Sequence, residues 1–142
     1  MLSAVMWAWT EQHGKYLGCP YLTKLAIGVY KRDRSTDGLR HEHVVPKKCL
    51  MSMLFNLPNP TPQHVIEILS RYLIGVIVTR EEDAILGVEY SKSMPAEFEN
   101  CPDVTARDAW LRYKLCKIDG VDVSALPNEH ELRLLLRVGR ND

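Results

Sequence analysis

His41 and His43 stand two residues apart with Glu42 between them, inside the run Leu-Arg-His-Glu-His-Val-Val-Pro-Lys-Lys at residues 39–48. On an extended chain successive side chains alternate faces, so both imidazoles point one way and the carboxylate the other. Two imidazoles at this spacing can share one divalent metal, because neutral imidazole is a borderline ligand suited to zinc, iron or nickel. His41 and His43 are thus the candidate metal ligands, and a third would come from His13, His64, His130 or a carboxylate. The alternative chemistry is proton transfer. Imidazole titrates near neutral pH, so His43 or His41 suits a general base, with Glu42 as auxiliary if a bend brings it round. Arg40, Lys47 and Lys48 would hold a phosphate beside them. Together these residues define an enzyme hypothesis, a His-centred and metal-assisted phosphodiesterase or nuclease. His-x-His is also common by chance, and an edge strand would carry it equally well.

His43-Val44-Val45-Pro46 resembles the first histidine motif of the HNH (His-Me finger) nucleases, and Asn56 and His64 follow in the family's order. The resemblance implies that His43 is the general base. It covers about six residues and two isolated positions. The family pattern also needs a hairpin followed by a helix, whereas Pro46 to Phe55 reads as helix and leaves no second strand. The cysteine knuckles of many members are absent too. The chemistry, rather than the family, is what carries over.

Charge supplies the competing hypothesis. Residues 24–48 hold seven bases against three acids, while residues 81–108 hold eight acids against two bases. Lys31, Arg32, Arg34, Arg40, Lys47 and Lys48 make a basic segment over a loop and a helix start, which suits phosphate or an acidic protein surface. The expected function is therefore a small interaction protein that grips nucleic acid or an acidic protein surface through residues 31–48, with the hydrolase as alternative. The cofactor stays open, a divalent metal being the one these residues suit, and so does a homo-oligomer. No Gly-rich phosphate loop occurs.

These residues need elements to place them. Leu2, Val5, Met6 and Trp9 recur at helical spacing and predict a helix ending near Gly14, with Trp7 off its buried face. Thr23 caps a second helix burying Leu25, Ala26, Val29 and Tyr30. Residues 41–45 read as extended, since Val44 and Val45 favour strand and Pro46 disfavours helix before it. Pro46 then opens a helix over Lys47–Phe55. Thr61-Pro62 starts another, with Val65, Ile66, Leu69 and Tyr72 inward. Residues 74–78 predict a buried strand. Thr79 and Glu82 form a capping box for a helix stopping at Gly87. Residues 88–104 read as a long loop, and Thr105 to Lys117 as a helix with Trp110, Leu111 and Leu115 inward. Residues 131–138 fit helix and strand alike.

The sum is α+β: a single compact domain over 1–142, mostly helical, with about five or six helices and two or three short strands. A chain of 142 residues with 46% apolar and 25% charged residues can bury a core without staples. Lys plus Arg equals Asp plus Glu, 18 each, so no global field draws in nucleic acid or lipid. The four cysteines form no C-x-x-C pair. The first residues lack an early basic residue and an apolar core, so no signal peptide is expected. No apolar run is long enough to span a bilayer. The expected setting is cytoplasmic, with reduced thiols and no membrane partner.

Overall fold

The structure is a computed structural model and describes residues 2–10 and 19–122. It is an α+β arrangement of helices around one four-stranded sheet, in the order β2-β3-β1-β4. β1 (Tyr21–Thr23) runs parallel to β3 (Gly75–Thr79), while β2 (Leu39–His43) and β4 (Gly120–Asp122) are antiparallel to their neighbours.

The register sorts side chains onto two faces. Leu39, His41 and His43 lie opposite Thr79, Ile77 and Gly75, so they share one face. That face is covered by α2 (Lys24–Asp33), through Leu22, Ala26, Tyr30, Leu39 and Ile77. Arg40 and Glu42 share the other face with Val78 and Val76. There α5 (Arg80–Tyr90) and α7 (Leu111–Leu115) pack through Leu86, Tyr113 and Ile118. A third cluster lies where β2 turns into α3 (Lys47–Phe55). Met6 of α1 (Leu2–Thr10) meets Val45, Leu50 and Met53 there, with Leu69 and Tyr72 of α4 (Pro62–Tyr72) and Phe98 of α6 (Ala96–Glu99).

Local chemistry sets the element starts. Thr23 accepts from the Ala26 N–H and caps α2. Thr61 caps α4, with Pro62 in its first turn. Thr79 and Glu82 complete the expected capping box on α5. Buried Glu82 does more. Its Oε2 accepts from the Thr79 N–H at 2.9 Å and from the Thr23 hydroxyl at 2.6 Å, so one carboxylate joins the ends of β1 and β3 to the start of α5.

Several expectations need correction. Trp9 and Leu25 are 46% and 62% exposed, because one layer covers only the Met6 side of α1 and the Ala26–Tyr30 side of α2. In α4, Ile68 is buried and Ile66 exposed. Leu115 is exposed and Trp110 half-buried. α5 does not stop at Gly87 but runs to Tyr90, since packing of α5 on β2, β3 and α7 outweighs a helix penalty of about 1 kcal/mol for one glycine. The expected loop over 88–104 contains the end of α5 and the whole of α6. The expected helix over 105–117 is a 3-10 turn at Val104–Ala106 and then α7, because Asp103 caps the Thr105 N–H and Asp108 caps the Trp110 N–H. β1 and β4 were not anticipated. Gly14, His13, His130 and residues 131–138, and the side chains of Leu2, Val5 and Trp7, lie outside what is described.

Candidate functional site

β2 carries both histidines, and the fold turns them inward. His41 and His43 are 7% and 5% exposed, with ring centroids 5.4 Å apart. α1 lies over them, and the Thr10 hydroxyl meets His43 Nε2 at 3.2 Å while donating to the Met6 carbonyl. Burial, then His41, Lys47 and Arg112, lowers the His43 pKa from 6.5 to about 4, so this ring is neutral at working pH. Among the described residues, no group of three or more His, Cys, Asp or Glu side chains gathers where it could hold a metal. His64 is exposed on α4.

Gly75 explains how the histidines fit. A Cβ there would come within 2.5 Å of His41 Nε2 and 3.1 Å of Cys19 Sγ. Only glycine admits the ring at that approach. Gly75→Ala is expected to overpack this side of the sheet and lower stability by about 1–3 kcal/mol, read from a urea unfolding curve. A change below about 0.5 kcal/mol would show that the ring moves aside freely. Cys19 is itself buried, and burial pushes its thiol up to about 12, which leaves no thiolate beside His41.

Glu42 faces the opposite side of the sheet and meets Arg112, which the sequence reading did not single out. The Arg112 side chain is 1% exposed. Its Nη2 donates to Glu42 Oε2 at 2.9 Å and also to the His43 carbonyl. Its Nε donates to the Val44 carbonyl at 2.9 Å and its Nη1 to the Tyr90 carbonyl at 3.1 Å. One guanidinium thus fastens α7, the end of α5 and the β2–α3 corner. Burial raises the Glu42 pKa even though Arg112 opposes the rise, so desolvation outweighs the ion pair. A small cleft of about 140 Å³ opens beside the pair, lined by Asp83 and Ser91 among others. His41, Glu42 and His43 are neighbours in sequence, but the sheet separates the carboxylate from the two rings.

The basic residues divide differently. Lys31, Arg32, Arg34 and Lys48 are exposed. Arg40 and Lys47 are half-buried, and Arg40 Nη1 donates to the Leu39 carbonyl. Arg32 pairs with Asp33 at 2.6 Å on the surface. Arg34 closes α2 in the left-handed region, φ 53°, its N–H donating to the Tyr30 carbonyl. The exposed cations therefore flank β2 in sequence, Lys31, Arg32 and Arg34 on and just after α2 and Lys48 at the start of α3.

An apolar groove of about 570 Å³ lies elsewhere, along α4, with Leu57, Ile66, Tyr72 and Val104 in its wall. It shares no residue with β2. Tyr72 is buried, its hydroxyl donating to the Val104 carbonyl with the Arg107 carbonyl at 3.3 Å. Among the described residues, no helix is long and apolar enough to cross a membrane. Comparison with protein-family models, with curated proteins and with solved structures gave no match to this chain.

Proposed function

We propose that this is a small interaction protein that docks an anionic macromolecule through the exposed cations of segment 31–48, and that the anionic surface is protein. The observation that carries this reading is the division along β2. The histidines are buried, Glu42 is held by Arg112 on the other face, and Lys31, Arg32, Arg34 and Lys48 reach solvent. A general base needs hydrogen-bond reach to its substrate, which the exposed cations have and the rings lack. Protein is favoured over nucleic acid because the segment has no Phe, Tyr or Trp on which a base could stack, and because Asp33 and Asp37 stand among its cations. A cytoplasmic setting belongs to the same proposal, supported by four cysteines that are all free.

The test is fluorescence anisotropy with a labelled poly-glutamate peptide and a labelled single-stranded oligonucleotide, at low salt and with Mg²⁺ or Mn²⁺ present. Wild type is expected to bind the peptide, and binding should weaken at about 300 mM salt. The combined variant Lys31→Ala, Arg32→Ala, Arg34→Ala, Lys48→Ala is expected to bind about tenfold more weakly or worse. Unchanged binding by this variant would overturn the reading. Stronger binding to the oligonucleotide would move the partner to nucleic acid. Cleavage of the oligonucleotide that is lost in His43→Gln would replace docking by hydrolysis.

A further inference from the structure

α2 and α5 pack on opposite faces of the sheet and each turns a stripe outward. On α2 the exposed residues are Lys24, Leu25, Gly28, Lys31, Arg32 and Asp33, the last paired with Arg32. On α5 they include Arg80, Glu81, Ala84, Ile85, Val88 and Glu89. Both stripes have helical spacing, with Leu25 as the apolar side chain on α2 and Ile85 and Val88 on α5; bases outnumber acids among the exposed residues of α2, and acids outnumber bases among those of α5. Leu25 is 62% exposed, Val88 82% and Ile85 46%, so real apolar area stands open on both.

The geometry points to a second copy of this chain as occupant: the outer face of α2 docks on the outer face of α5 of another molecule. This rests on reading the basic segment as a docking surface, and names its acidic partner. The match extends along both helices. Lys24 and Lys31 are ~10.5 Å apart along α2, and Glu81 and Glu89 ~12 Å apart along α5, at the helical rise per residue. Set antiparallel, Lys31 and Arg32 at the end of α2 meet Glu81 at the start of α5, and Lys24 meets Glu89. That orientation also opposes the helix dipoles favourably, since the basic end of α2 and the acidic start of α5 already complement them. Gly28 faces open space, with nothing within 4 Å of an added Cβ, so Ile85 and Val88 have a shallow bed beside Leu25.

The existing surface pairs do not oppose this. Lys24 with Asp119 and Arg32 with Asp33 are exposed pairs of little net worth, and they rearrange readily. Because the two faces differ, the contact is head-to-tail and leaves a free face of each kind on every pair. A single helix pair is a small contact, so association is weak and salt-sensitive.

Sedimentation of the full chain tests it, with three proteins: wild type, Lys31→Glu/Arg32→Glu, and Glu81→Lys/Glu89→Lys. All substitutions are on exposed positions, and circular dichroism checks that each folds. Wild type is expected to gain mass with concentration at about 50 mM salt and to return to monomer at about 500 mM. Each variant alone is expected to stay monomeric, since like charges then face each other. Their equimolar mixture is expected to associate again, because each variant then meets its complement. A wild type that stays monomeric to about 1 mM overturns the inference, as does a mixture that stays monomeric or a variant that associates like wild type. Glu81→Lys/Glu89→Lys should still bind the poly-glutamate peptide. A chain that binds that peptide without self-association defeats only this inference, whereas loss of both defeats the docking reading as well.

Discussion

Arg112→Ala is expected to lower the unfolding free energy by about 3–5 kcal/mol, the range for removing one partner of a buried charge pair. The reasoning starts from what is left behind. Three main-chain carbonyls, of Val44, His43 and Tyr90, lose their donor, and Glu42 loses its counter-charge. Each buried polar group without a partner costs about 1–3 kcal/mol. Glu42 is the lesser part, because its side chain is 33% exposed and water can replace some of what Arg112 gave. The volume of a long side chain is also lost against Tyr113, whose ring lies 5.3 Å from the guanidinium. Arg112→Lys keeps the charge but brings one compact ammonium to acceptors spread around a planar fork, so it should recover only part of the loss. Urea unfolding of the three proteins measures this. A loss under about 1 kcal/mol in Arg112→Ala would mean that the network contributes no more than a surface pair.

Acidification is expected to remove on the order of 3 kcal/mol between pH 6.5 and about 4, through His43. The folded ring has its pKa at about 4, whereas the unfolded ring titrates near 6.5. Between those values the unfolded chain binds the proton and the folded chain does not, so stability falls as pH falls. The contribution is complete once pH drops below the folded value. Glu42 acts in the opposite sense. Its raised pKa means that the buried carboxylate costs stability at neutral pH, and protonation relieves that cost as pH falls through its folded value. The net loss between pH 6.5 and about 4 should therefore be the His43 contribution less what Glu42 returns. His43→Gln, which cannot titrate, should flatten the curve there. Equal slopes in wild type and His43→Gln would show that His43 is not the group responsible.

The same contrast between near and far explains what was legible in the sequence. Thr23, Thr61 and the Thr79–Glu82 box act on N–H groups three residues away, and Pro46 acts through its own fixed φ, so local sequence alone located four helix starts. Of the extended stretch expected over 41–45, residues 41–43 lie in β2 while Val44 and Val45 fall beyond its end, and the shared face of the two histidines followed from period two. Burial depth did not. Nothing near Leu25 or Trp9 says that the neighbouring layer ends before reaching them. β1 and β4 have three residues each, too few to show a period, and they exist by pairing across the sheet. Arg112 was invisible for the plainest reason. Its partners Glu42, His43 and Val44 lie about seventy positions away, and no local pattern marks an arginine as buried. The two histidines share one face of the sheet and the glutamate lies on the other, as alternation implies. The depth at which the rings are buried was beyond reach, and that burial supports the docking expectation over the hydrolase alternative.

The central claim is that segment 31–48 presents its exposed cations to a partner while the histidines of β2 stay inside. Amide and imidazole chemical-shift mapping, with unlabelled poly-glutamate peptide added to isotope-labelled protein, tests it most directly. Saturable shifts at Lys31, Arg32, Arg34 and Lys48, with the His41 and His43 ring signals nearly unmoved, are the predicted result. Largest shifts on the histidine rings, or none that saturate within segment 31–48, would contradict it.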